Sequence, residues 1–232
     1  MKKYFSIEEF AKYNRVSIPR AYSILRENLK KGKMVKIASN LYKFSEKRTV
    51  PKLNRDLESI RKRLWNKGFN FSFTGMSVLE KYIHHIPYSM IYHVYAEKGS
   101  GEPIKAEIKE KDTALLLNPT YDEIIVVVEE GRMNKIIVII ENNYLGLSNE
   151  GIASYEKAFV DLYYETTRNK TPFMEPELYY IAEALIAHDE INFSRMFTYA
   201  KIRGIFSELR KFFKKLSETI TIPTEVRRRY GC

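Results

Sequence analysis

Arg20, Ser23, Arg26 and Lys30 recur three or four residues apart in a stretch that begins at Ser17. On a helix that spacing stacks side chains on one face, so two guanidinium groups, a hydroxyl and an ammonium would point the same way. These are the groups that read base edges in the major groove and hold backbone phosphates. Ser17 joins the set as the residue that starts the helix. Lys36, Asn40 and Lys43 follow on a segment of alternating polarity, and would hold phosphates or let a turn enter the minor groove of the same duplex.

A second chemistry rests on fewer residues. Glu107-Ile108-Lys109 has the E-x-K form of restriction-nuclease-like sites, in which paired carboxylates hold a divalent ion and the lysine assists the attacking water. Glu97, across the Gly99-Ser100-Gly101 turn, is the obvious second carboxylate. The alternative is a surface strand of alternating charge, and Glu129-Glu130 is open to the same two readings. His84-His85 and His93 have no Cys, Asp or Glu at ligand spacing to complete a metal set, and adjacent histidines diverge on a helix. Tyr163-Tyr164 and Tyr179-Tyr180 sit in apolar helical repeats and read as packing. No Walker loop, G-x-G-x-x-G, H-E-x-x-H or G-x-S-x-G occurs, so the sequence predicts neither a cofactor nor a metal.

Both sets of residues need elements to position them. Ser6-Ile7-Glu8-Glu9 has the capping-box form and opens a short helix whose apolar residues are Ile7, Phe10 and Ala11. Asn14 to Ser17 supply a turn, Ser17 can cap, and Pro19 suits the first turn of a second helix with the stripe Ala21, Ile24, Leu25 and Leu29. Lys31-Gly32-Lys33 ends it, and Met34-Val35-Lys36-Ile37 and Leu41-Tyr42-Lys43-Phe44 alternate as two strands around Ala38-Ser39-Asn40. Residues 5–44 thus read as a winged helix-turn-helix with the hairpin as its wing.

Charge sharpens that reading. Residues 1–67 hold 19 Lys and Arg against 6 Asp and Glu, residues 68–200 hold 11 against 20, and residues 201–232 hold 9 against 3. The basic front suits nucleic-acid phosphate and the acidic middle a basic partner. The single cysteine, Cys232, leaves no disulfide framework and implies an intracellular, cytoplasmic home. No apolar run approaches the roughly 18 residues of a membrane span.

The predicted class is α+β: a winged helix-turn-helix over residues 1–47, a linker and basic amphipathic helix over 48–67, and a mixed α/β domain over 68–232 with a central sheet and a helical C-terminus. Leu53, Leu57, Ile60 and Leu64 define the amphipathic helix, which either extends the DNA footprint or docks its leucines on the next domain. Beyond it the patterns predict a helix over 74–84, a strand over 88–97 continued at 104–108, a central hairpin of strands 123–130 and 135–142, and helices over 154–164 and 175–188. A helical pair broken at Gly204 spans 192–216, and the tail 219–232 with Arg227-Arg228-Arg229 reads as frayed or partner-dependent.

The order of these parts resembles the AbiEi antitoxin family of transcriptional regulators. The resemblance rests on Phe71-Ser72-Phe73-Thr74-Gly75-Met76-Ser77-Val78-Leu79 before the strand at 90–95, on Gly151-Ile152-Ala153-Ser154-Tyr155-Glu156-Lys157-Ala158-Phe159-Val160-Asp161-Leu162-Tyr163, and on Phe197-Thr198-Tyr199-Ala200-Lys201-Ile202-Arg203-Gly204 before a basic last helix. It implies a non-enzymatic repressor that binds operator DNA of its own operon and counters a nucleotidyltransferase toxin, with a C-terminal domain likened to a nuclease fold without a working site. Two other classes compete with it. One is a metal-dependent nuclease using Glu97, Glu107 and Lys109, and the other a winged helix that docks proteins.

Overall fold

The computed structural model describes residues 4–44, 50–84, 89–108, 110–188 and 190–232. Among these residues, eleven α-helices, a two-stranded sheet and a six-stranded mixed sheet give an α+β fold. The chain forms two compact units, Met1–Thr49 with Leu185–Cys232, and Val50–Ala184. This division differs from the one composition suggests. The segment from Leu185 onward packs with the N-terminal segment instead of completing a domain over 68–232, and the basic amphipathic helix belongs to the second unit. Most of the expected linker, residues 45–49, lies outside the described residues.

In the first unit, α1 (Ile7–Asn14) starts in the capping box read from the sequence, with the Ser6 hydroxyl accepting from the Glu9 N–H and the Glu9 carboxylate from the Ser6 N–H. Arg15 and its neighbours turn the chain into α2 (Ile18–Lys30), and β1 (Met34–Ala38) and β2 (Leu41–Phe44) pair antiparallel. Phe5 bridges Tyr42, so the segment before α1 is laid against the hairpin. Phe5, Ile7, Phe10, Ala21, Leu25, Met34 and Tyr42 close the core between helices and hairpin. Val35 and Ile37, on the hairpin's other face, are buried as well, and α9 (Phe193–Ile202) lies against β1.

Gly204, at φ 73°, breaks α9 from α10 (Phe206–Leu216) as its position predicts. Phe193, Phe197 and Phe213 stack their edges between the two helices. The tail is not frayed: Thr224–Tyr230 form α11, which buries Val226 between Ile222 and Cys232 and stacks Tyr230 on Phe197 with ring centroids 4.4 Å apart. Tyr230 finds its ring partner on α9, a long-range contact that local pattern does not reveal.

The second unit is built on the sheet order β5-β6-β4-β3-β8-β7, with β3 at Phe71–Thr74, β4 at Met90–Ala96, β5 at Thr113–Leu117, β6 at Lys135–Glu141, β7 at Ser148–Asn149 and β8 at Ile152–Ala153. β4, β5 and β6 run parallel, whereas β3 is antiparallel to β4. Helix α3 (Arg55–Asn66), capped by Asn54, buries Leu57, Ile60 and Leu64 against Phe71, Phe73, Val94 and Ile139. At about 1.5–3 kcal/mol per fully buried aliphatic side chain, that stripe fixes α3 to its own sheet.

Two predicted elements change type and a third shortens. Residues 104–108 are helical, within α5 (Gly101–Ile108). Glu141 accepts the N–H groups of Gly99 and Gly101 at 3.0 and 2.7 Å, satisfying donors that a helix start leaves unpaired. A Cβ at Gly101 would lie 2.4 Å from a terminal methyl of Leu117, so any larger residue at the helix start would have to displace that side chain. Residues 123–130 form α6 (Tyr121–Glu130), not half of a hairpin, because Thr120 and Glu123 make a capping box and Gly131 closes the end at φ 60°. The expected helix over 74–84 shrinks to α4 (Met76–Leu79) and a 3-10 turn, since Thr74 ends β3. Residues 85–88, including the expected start of β4, lie outside the described residues.

Candidate nucleic-acid interface

Helix α2 places five of the predicted contact residues together. Ala21 and Leu25 turn inward with Ile24 and Leu29 beside them, so Arg20, Ser23, Arg26 and Lys30 point outward, and all four are exposed, as is Ser17. Ser17 has the extended backbone of an N-cap, but its hydroxyl makes no capping bond, contrary to the capping expectation; Pro19 in the first turn has removed one of the N–H groups that needs a cap. The Ser23 hydroxyl donates to the Pro19 carbonyl at 3.3 Å and keeps its lone pairs outward.

The cations of this face are not consumed by ion pairs. Among the described residues, Arg20, Arg26, Lys30, Lys33 and Lys36 have no carboxylate partner. In the second unit several cations are paired. Arg61 binds Glu58, Arg63 binds Glu110, Lys67 binds Glu107, Lys135 binds Asp56 and the buried Lys157 binds Asp161. The cations of α3, read as a possible extension of a DNA footprint, are thus largely consumed within their own unit. The sequence reading missed Glu27, an anion on α2 that Lys31 engages at 2.5 Å. Hydrogen bonding and charge from Lys31, with Arg20 and Lys33 adding to it, hold the Glu27 carboxyl below its usual value. Its place seven residues after Arg20 was the available signal. Tyr22, 55 % exposed on the same helix, was likewise missed.

The hairpin divides its predicted contacts. The Lys36 side chain is exposed while its carbonyl accepts from Asn192 at 3.0 Å, and Lys43 is half-buried. Asn40 is engaged elsewhere. It occupies the left-handed position of the turn at φ 54°, accepts the Ile7 N–H at 3.0 Å and donates to Glu8 at 2.9 Å. Hydrogen bonds from Ser6 and Asn40 lower the Glu8 carboxyl. Asn40 therefore fastens the turn to the start of α1, and its amide is not free to hold phosphate. Beside it, the Ser39 N–H donates to Ser194 Oγ at 2.8 Å, and Arg229 reaches the Ser39 carbonyl at 3.4 Å. The hairpin tip is held by α9 and α11.

The residues of the nuclease reading do not converge. Glu107 lies on α5, not on a strand, and its carboxylate takes Lys67 at 2.6 Å. Glu97 takes Asn70 at 3.4 Å, and Lys109 lies outside the described residues. No three His, Cys, Asp or Glu among the described residues form a metal-holding group. The second unit instead buries a polar cluster: Thr74 donates to Asp161 at 2.6 Å, Lys157 to Asp161 at 2.7 Å, and Tyr95 to Glu165 at 2.5 Å. His93 sits beside it, fully buried, with neither ring nitrogen hydrogen-bonded. Burial pushes its pKa down to about 4 despite the opposing charge of Asp161, so the ring is neutral. Tyr155, Phe159, Leu162 and Tyr163 of α7 (Tyr155–Thr167), which pattern alone offers as partner anchors, are buried in the same unit.

The chain belongs to a protein family of unknown function, DUF6577, which it matches over residues 22–219. No curated protein matches the sequence. The family match covers most of α2, the hairpin and the whole second unit, and ends before α11.

Proposed function

We propose that this protein is a transcriptional regulator that binds operator DNA in the cytoplasm through a winged helix-turn-helix formed by α1, α2 and the hairpin. The observation that carries this reading is the outward face of α2, where Arg20, Arg26 and Lys30 are exposed together and, among the described residues, have no carboxylate partner. Arg20, Ser23 and Arg26 read base edges from the major groove, Lys30 and Lys36 hold phosphates, and bound protein occludes the promoter. A mobility-shift assay on the DNA upstream of its own gene tests this. The native chain should shift that fragment ahead of random duplex, and Arg20→Ala with Arg26→Ala should erase the preference. Equal affinity for both duplexes in the native chain rejects it.

The order of motifs supports placing this regulator beside a nucleotidyltransferase toxin, as in AbiEi-like systems. Two of the three resembling segments meet in the second unit, where Thr74 of the first donates to Asp161 of the second. Cells co-expressing such a toxin should survive when the chain carries Glu107→Ala, because that carboxylate serves an ion pair with Lys67. Survival lost on Glu107→Ala, together with metal-dependent DNA cleavage by the native chain, would replace this reading with the nuclease.

A further inference from the structure

Resting on the DNA-binding reading above, we propose that α10 and α11 carry a second phosphate-binding surface of the same unit. Its residues are Arg210, Arg227, Arg228 and Arg229, and its ligand is duplex DNA backbone. The four side chains are exposed, and none has a carboxylate partner among the described residues. Arg210 lies against the end of α11, since a Cβ at Gly231 would stand 3.4 Å from its guanidinium carbon. Arg229 reaches the carbonyl of Ser39 in the hairpin turn, so the cluster adjoins the element that a winged helix uses beside the duplex.

The arginines are presented by an ordered element. Val226 is fully buried, Tyr230 stacks on Phe197, and the Tyr230 hydroxyl lies 2.9 Å from Ser194 Oγ, which also accepts the Ser39 N–H. Fixing like charges side by side opposes folding through their mutual repulsion. Attraction to the C-terminal end of the α11 dipole offsets part of this, yet it leaves nearly all the guanidinium N–H donors unused. A row of planar donor forks fits phosphate oxygens. Backbone contacts of this kind add affinity without sequence preference.

The test compares the full-length native chain with an R227Q/R228Q/R229Q variant on operator and random duplexes across a salt series. With about −0.9 in the log-log slope per phosphate neutralised, the variant should flatten the slope by about 2–3 on both duplexes and keep its operator preference. R227K/R228K/R229K should retain the native slope, and an unchanged melting temperature shows that the Gln variant remains folded. An unchanged slope in the Gln variant overturns the proposal while leaving the α2 reading intact, and so does binding to polyglutamate in place of DNA that the Gln variant loses. A native slope near zero overturns both.

Discussion

Two side chains show how the same residue types serve structure in one setting and chemistry in another. Asn40 has the composition of a phosphate contact, but both ends of its amide are engaged by α1, through the Ile7 N–H and Glu8. Asn40→Ala should therefore cost about 1–2 kcal/mol, from the lost hydrogen bond and the strain of alanine at φ 54°. Chemical denaturation measures that loss, and the salt dependence of DNA binding should not move; a slope that flattens would return Asn40 to the DNA interface. His93 gives a pH signature. Its folded pKa of about 4 lies below the ordinary 6.5, so the unfolded chain takes up the proton first as pH falls. The stability from keeping this ring neutral is fully present above pH 6.5, declines as pH falls through the window from 6.5 to 4, and amounts to about 3 kcal/mol. The native-minus-variant stability difference against His93→Gln should slope across that window. A difference that stays constant from pH 7 to 4 would show that the ring is not held neutral by burial.

At the level of elements, what the sequence revealed is what nearest neighbours decide. The capping box at Ser6, the Gly204 break and the α2 stripe are local signals, and each stands in the structure. Where local and long-range terms compete, pattern failed. The β-branched run Ile124–Val128 resembles a strand, yet Thr120 and Gly131 cap it as α6, and Ile124 with Val127 and Val128 covers Ile136 and Val138 of β6 at helical spacing. Residue type and helix periodicity placed Arg20, Ser23, Arg26 and Lys30 on one exposed face of α2. They could not find Asn40's engagement with α1 or the docking of α11, because both depend on segments distant in sequence. The β3-to-α4 turn is a second such case. Gly75 adopts φ 55° and ψ −129°, and a Cβ there would meet His93 Nδ1 at 3.2 Å. Gly75→Ala should destabilise the chain by about 1–3 kcal/mol, read by thermal or urea unfolding. A neutral effect would mean that the turn relaxes to a conformation alanine accepts.

Across the whole molecule, charge follows the two compact units more closely than it follows chain order. Met1–Thr49 with Leu185–Cys232 hold 23 Lys and Arg against 9 Asp and Glu, whereas Val50–Ala184 hold 16 against 20. The basic front and basic tail of the sequence thus belong to one unit, and the unit whose balance is slightly acidic forms ion pairs that engage Arg61, Arg63, Lys67 and Lys135. A strongly cationic unit with unpaired arginines has its greatest affinity for a polyanion, and association should weaken steeply as salt rises. The most direct measurement is the affinity of the full-length chain for duplex DNA across a salt series, set beside an R20A/R26A/K30A variant. A steep native slope, flattened by about 1 in the variant for the phosphate that Lys30 holds, together with loss of operator preference as Arg20 and Arg26 leave the base edges, is the predicted result. A native affinity insensitive to salt, or a variant whose slope and preference match the native chain, would contradict the assignment of α2 as the DNA-reading helix.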